Sequence, residues 1–94
     1  MKNKKRKVYV IKCNKNNFDD VQKKLICEMD YDWKGTKSGN LIDYPENGKE
    51  IILFTTDRGG MFYMFVDDRE LYTTFDYHMK NVIDGDKFIS FFYK

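Results

Sequence analysis

The apolar positions along the chain change period several times, and each change predicts an element. Val8-Tyr9-Val10-Ile11-Lys12-Cys13 is β-branched and mostly apolar, as a strand is. Asn14–Asn17 follows as a polar turn, with Asn17 placed to cap a helix and Asp19 and Asp20 in its first turn, where carboxylates suit the helix dipole. Phe18, Val21, Leu25, Ile26 and Met29 then fall on one helical stripe, with Gln22, Lys23, Lys24 and Glu28 off it.

The segment Asp30–Gly48 is punctuated by Gly35, Gly39, Pro45 and Gly48 and holds the only Trp, Trp33, and the only Pro. It reads as a structured loop or a short irregular strand around Leu41-Ile42. Glu50–Thr56 and Met61–Val66, joined by Asp57-Arg58-Gly59-Gly60, form the clearest hairpin. Both are apolar at consecutive positions, so both faces of the sheet are covered there. Asp67–Glu70 reads as a polar turn. Leu71–His78 alternates, with Leu71, Thr73, Phe75 and Tyr77 on one side, and predicts a third meander strand. At the end, Asp84-Gly85 has two readings. It turns a hairpin between Val82-Ile83 and Phe88–Tyr93, or Asp84 caps a short helix that puts Phe88, Phe91 and Phe92 on one side. The helix is the preferred reading.

These elements predict an α+β fold: a small, mainly antiparallel sheet of three to five strands, with one main helix on one face and a short C-terminal helix. Residues 1–7 are read as a flexible basic tail and 8–94 as a single domain. One helix covers one face only. The Trp33 loop, the C-terminal aromatics or a second subunit are the candidates to cover the other, which makes a homodimer an expectation.

Composition sharpens this in two ways. At 94 residues the core is modest, and with 8 Phe, 7 Tyr and 1 Trp most of its burial comes from rings. The net charge of +2 is unevenly placed: five of the 17 basic residues are Lys2, Lys4, Lys5, Arg6 and Lys7, so the rest of the chain carries about −3. A nucleic-acid binder usually shows a basic face across its fold, whereas here the cations sit in a head that can contact phosphate through Lys4, Lys5, Arg6 and Lys7. Tyr9 is the sole ring near that head. Cys13 and Cys27 lack CxxC spacing and read as small buried hydrophobes in a reduced compartment. The charged start shows no apolar signal segment, and no apolar run approaches the roughly 20 residues that span a bilayer.

Little catalytic chemistry stands out. His78 is the only histidine, with no nucleophile elbow or ligand-spaced partners, so neither a triad nor a metal site is expected, and no cofactor. Asp67, Asp68, Glu70, Asp76, Asp84 and Asp86 are read as turn and cap chemistry; the alternatives are an acidic patch for a basic partner or a divalent-metal site, which the lack of EF-hand spacing disfavours. Gly59-Gly60 lacks the Lys-Ser/Thr of a phosphate loop and supplies positive φ to the hairpin turn. Tyr31, Trp33, Lys34 and Tyr44 make a candidate recognition cluster, since Trp and Tyr favour hot spots. The alternative is that Trp33 caps the core over the helix end.

Lys4–Lys7, the helix Val21–Met29, and Tyr31, Trp33, Tyr44 and Pro45 give the chain a layout that resembles small accessory proteins of phages infecting low-GC Gram-positive bacteria. The absence of Ala and heavy use of Lys, Asn, Ile, Phe and Tyr fit a low-GC genome. The likeness is one of size, composition and layout, and it assigns no functional residue. It implies a non-enzymatic phage accessory protein in the cytoplasm of a host bacterial cell, inhibiting a host protein by contact, as an anti-CRISPR-like anti-defence inhibitor does. The expected contact surface is Tyr31, Trp33, Lys34 and Tyr44 with the acidic turn Asp67, Asp68 and Glu70. Two alternatives stand beside it: a nucleic-acid-binding accessory protein using the basic head, and a sponge for a small nucleotide signal, with a pocket between subunits lined by aromatics and Arg58 or Arg69.

Overall fold

Antiparallel pairing of three apolar strands builds the centre of the fold. A computed structural model describes residues 6–37, 39–45, 48–75 and 79–92. Strand β1 (Val10–Cys13) pairs antiparallel with β3 (Ile51–Thr55), Val10 opposite Phe54 and Cys13 opposite Ile51. Strand β3 pairs antiparallel with β4 (Gly60–Phe65), Ile51 opposite Phe65 and Thr55 opposite Met61. Two-residue strands finish the sheet in parallel register: β2 (Asp32–Trp33) on β4, and β5 (Ile83–Asp84) on β1. The order β2-β4-β3-β1-β5 places β2 and β5 at opposite edges. The fold is α+β as expected, with a mixed rather than wholly antiparallel sheet.

The main helix, α1, runs from Phe18 to Lys23 and widens into a π-type segment, Lys24–Glu28. Phe18, Val21, Leu25 and Ile26 of the predicted stripe are buried and Met29 is half-buried. Two residues expected off the stripe, Gln22 and Lys24, are also buried, because the helix lies deep and widens at Lys24. Asn17 sits at the cap position without a side-chain cap; its amide instead donates to Asp86 at 3.0 Å. The helix closes with the Tyr31 N–H on the Leu25 carbonyl and Asp30 at φ +65°, a left-handed stop that glycine usually fills. The Arg6 guanidinium holds this Asp through both its carbonyl and its carboxylate.

On the α1 face, a core forms from Ile11, Phe18, Leu25, Trp33, Leu53 and Phe88 among others; the opposite face buries Val10, Ile52, Phe54 and Leu71. The alternation of Ile51 and Leu53 with Ile52 and Phe54 explains why β3 is apolar at every position. The cover for the second face corrects the expectation. Residues 69–74 are not the start of a third meander strand but a helix, α2 (Arg69–Thr74). Asp68 caps it, accepting from the Glu70 N–H at 2.9 Å. Leu71, Phe75 and Met79 are spaced four apart, a helical period, and all three pack on that face. The face is thus covered from within the chain and needs no second copy. Asp76, Tyr77 and His78, the end of the predicted strand, lie outside the described residues.

At the C-terminus both sequence readings contribute. Ile83 and Asp84 form β5, and Asp84 caps the preferred helix, α3 (Gly85–Phe92), by accepting from the Asp86 N–H at 2.9 Å. A side chain at Gly85 would meet the Lys12 carbonyl and the Asn17 amide at 2.9 Å, so glycine lets α3 start directly against β1.

Candidate ligand-binding cleft

Of the residues singled out in the connector, Tyr31 and Trp33 belong to the core and Tyr44 packs against it. Tyr31 is 3% exposed and Trp33 4% exposed, so a partner on the surface does not reach their rings. The Trp33 indole N–H donates to Gln22 Oε1 at 2.9 Å; Gln22 also accepts from the Ile42 N–H and donates to the Ile42 carbonyl and to Asp19. This buried amide ties α1, β2 and the connector together with all its groups paired. The Tyr31 hydroxyl donates to the Lys7 carbonyl at 2.6 Å, and Tyr44, half-buried against Phe18, donates to the Lys49 carbonyl. Lys34 is exposed, with its ammonium 5.9 Å from the Phe62 ring centroid. In the acidic turn, Asp67 pairs with Lys49 at 3.4 Å and Asp68 caps α2, while Glu70 is exposed in the helix it starts.

The end of the basic head is also fastened. The Arg6 backbone N–H donates to the Asp57 carbonyl at 2.8 Å, and its guanidinium lies over Tyr31 while gripping Asp30. Lys4 and Lys5 lie outside the described residues. Lys7, an exposed side chain, leads from the head to the opposite edge of the sheet.

There, between the N-terminal segment, β5 and α3, is a surface cleft of about 410 Å³ lined by Lys7, Tyr9, Ile83, Lys87, Phe88 and Phe91. Its position follows from the elements. Asp84 and Gly85 seat α3 on β1, which turns Phe88 inward to 2% exposure, and one turn later Phe91 stands 65% exposed. Tyr9 and Phe88 meet edge-on, centroids 5.3 Å apart, and make the rigid wall. The Lys7 ammonium lies 5.5 Å from the Tyr9 ring. Among the described residues no acid lines this cleft. An adjoining hollow of about 450 Å³ shares Ile83 and Lys87 and adds Lys12, Val82 and Asp84. The geometry offers a mostly apolar, aromatic lining with two lysines in it.

Cys13 lies buried in β1, next to β5. Burial pushes its thiol up to about 12, with the Asp84 and Asp86 carboxylates adding to the shift. It is an inert core group rather than a nucleophile. Cys27 is exposed, which departs from the expectation of two buried cysteines. Among the described residues no helix is long and apolar enough to cross a membrane, and no group of three or more His, Cys, Asp or Glu could hold a metal ion.

Sequence reasoning placed the aromatic partner of the basic head at Tyr9 alone and missed Phe88 and Phe91. Their spacing put both rings on one side of a short helix and gave no signal that Phe88 would be buried and Phe91 exposed. Arg58 and Arg69, the cations named for a nucleotide pocket, are exposed at the β3–β4 turn and at the start of α2, away from the cleft lining.

Fold and cleft together define a small α+β domain with an aromatic, lysine-bearing cleft at one sheet edge. No protein-family model, curated protein or solved structure matches the chain.

Proposed function

We propose that this chain is a non-enzymatic accessory binding protein, of the kind that phages of low-GC Gram-positive bacteria carry, and that it takes a host factor out of action by binding it. The observation that supports the reading is Phe91: a large ring 65% exposed, in a cleft that Lys7 and Lys87 also line. Among the described rings, all but Phe91 and Tyr72 pack into the two cores, and an aromatic surface beside cations is an investment in recognition. The working surface is therefore the β5–α3 edge rather than Tyr31, Trp33 and Tyr44. The compartment that goes with this reading is the host bacterial cytoplasm.

The test is a plaque assay in a Gram-positive host that carries a phage-defence system. Expression of the wild-type chain should raise the plaque count of a restricted phage. The doubly substituted Lys87→Glu, Phe91→Ser chain, checked for folding by circular dichroism, should not. Equal plaque counts with the wild-type chain and an empty vector, across strains with different defence systems, would sink the proposal.

A further inference from the structure

The reading above says that the cleft binds something; its chemistry narrows what. A volume of about 410 Å³ falls within the roughly 300–1,000 Å³ of small-molecule sites. Its lining is mostly apolar, and among the described residues its only charged groups are Lys7 and Lys87. The ligand that satisfies both is a flat apolar body carrying an anion. A phosphate, with oxygens in several directions, can be held by the point charge of an ammonium as well as by the fork of an arginine. Both cations here are lysines. The flat body has a surface to lie on, since the Phe91 ring is exposed beside the fixed Tyr9–Phe88 pair.

We infer that this cleft binds a nucleotide unit, with the base against Phe91 and the phosphate between Lys7 and Lys87; this rests on the binding-protein reading and names the ligand of its site. A base within a duplex is stacked on both faces, so the unit must be unpaired. It has two sources, a free nucleotide or a single-stranded nucleic acid. Lys7 bears on the choice because it follows Lys4, Lys5 and Arg6 directly in sequence. In sequence these positions add further cations, which a strand of several units can use and a lone nucleotide cannot.

The test is calorimetric titration of the full chain at low salt with AMP, inorganic phosphate, a ten-residue thymidine oligonucleotide and a duplex of the same length. AMP or the oligonucleotide should bind, and phosphate and duplex should bind at least tenfold more weakly. Phe91→Ser and Lys87→Glu should each weaken binding about tenfold or more. If the oligonucleotide binds tighter than AMP and loses that advantage in a Lys4→Gln, Lys5→Gln chain, the source is a strand. If AMP binds as well as the oligonucleotide and ignores those changes, the source is a free nucleotide. Binding of neither, or binding indifferent to both Phe91→Ser and Lys87→Glu, overturns the inference. A chain that raises plaque counts but binds no nucleotide loses only this inference. One that binds nucleotide but leaves plaque counts unchanged loses only the host-factor reading.

Discussion

The two edges of the sheet use aromatic rings in opposite ways. At the β2 edge, Trp33 lies between Phe18 and Tyr63, centroids 6.0 and 6.1 Å away, and its N–H is taken by Gln22. Nothing of it is left for a partner. At the β5 edge the rings run outward instead: Tyr9 at 8% exposure, Phe88 at 2%, then Phe91 at 65%. The β2 edge is closed by a long connector whose Ile42 and Tyr44 return to the core, whereas the β5 edge is closed by a two-residue strand and the helix α3. A ring-rich connector is therefore not in itself a recognition surface. What separates the edges is how far their outermost ring is exposed, Trp33 at 4% against Phe91 at 65%.

The largest effect is expected at Trp33. Replacing it with Ala removes a fully packed indole, and such changes cost about 3–5 kcal/mol. A 94-residue chain has a total stability on the order of 5–14 kcal/mol. The variant should thus be largely unfolded by physiological temperature or melt far below the wild type in differential scanning calorimetry. If it melts like the wild type and loses only its ligand, the β2 edge is a recognition surface and the comparison fails.

Alkaline pH should separate the edges by order. In the unfolded chain the Cys13 thiol loses its proton near 9.0; folded, it holds the proton to about 12. Between those values the unfolded state binds fewer protons, so stability falls as pH rises. Tyr31 and Tyr44 are both raised above 10.0 by burial. For Tyr31 the neighbouring Tyr9 adds and Arg6 opposes; for Tyr44, Cys13 and Glu50 add. Their contribution is present below pH 10 and lost above it. The melting temperature should start to fall near pH 9, from the Cys13 side, and fall faster above pH 10 as the tyrosines join. A Cys13→Ala chain should hold its melting temperature until about pH 10. A wild-type midpoint that stays flat from pH 9 to 10 contradicts this order.

How much of this was legible depends on the range of the interaction that decides it. The α1 stripe and the β3–β4 hairpin were readable because period and turn residues are local. Helix α2 was misread because Leu71, Thr73 and Phe75 alternate like a strand, and the deciding fact, that Leu71, Phe75 and Met79 must cover Ile52 and Phe54, is a contact between distant segments. The role of Trp33 hung on Gln22 and Ile42 coming together across the fold. The cleft joins Lys7 to Lys87 over nearly the whole chain, and no single-sequence pattern connects them. Phe88 and Phe91 were visible as a pair, but which one faces the core depends on how Asp84 and Gly85 seat the helix.

Phe91 gives the smallest stability change and the sharpest test of the comparison. Its ring is 65% exposed, so Phe91→Ser removes little buried area, and surface changes of this kind usually stay within about 0.5 kcal/mol. The neighbouring Phe88 is the internal control: one turn earlier on the same helix, 2% exposed, and expected to cost about 3–5 kcal/mol on replacement by Ala. Chemical denaturation of both variants should therefore show one midpoint near the wild type and one far below it. If Phe91→Ser costs as much as Phe88→Ala, the ring belongs to the core and the β5 edge is closed like the β2 edge. If the midpoint holds while nucleotide binding falls, the exposed ring is there for the ligand, because folding does not account for it.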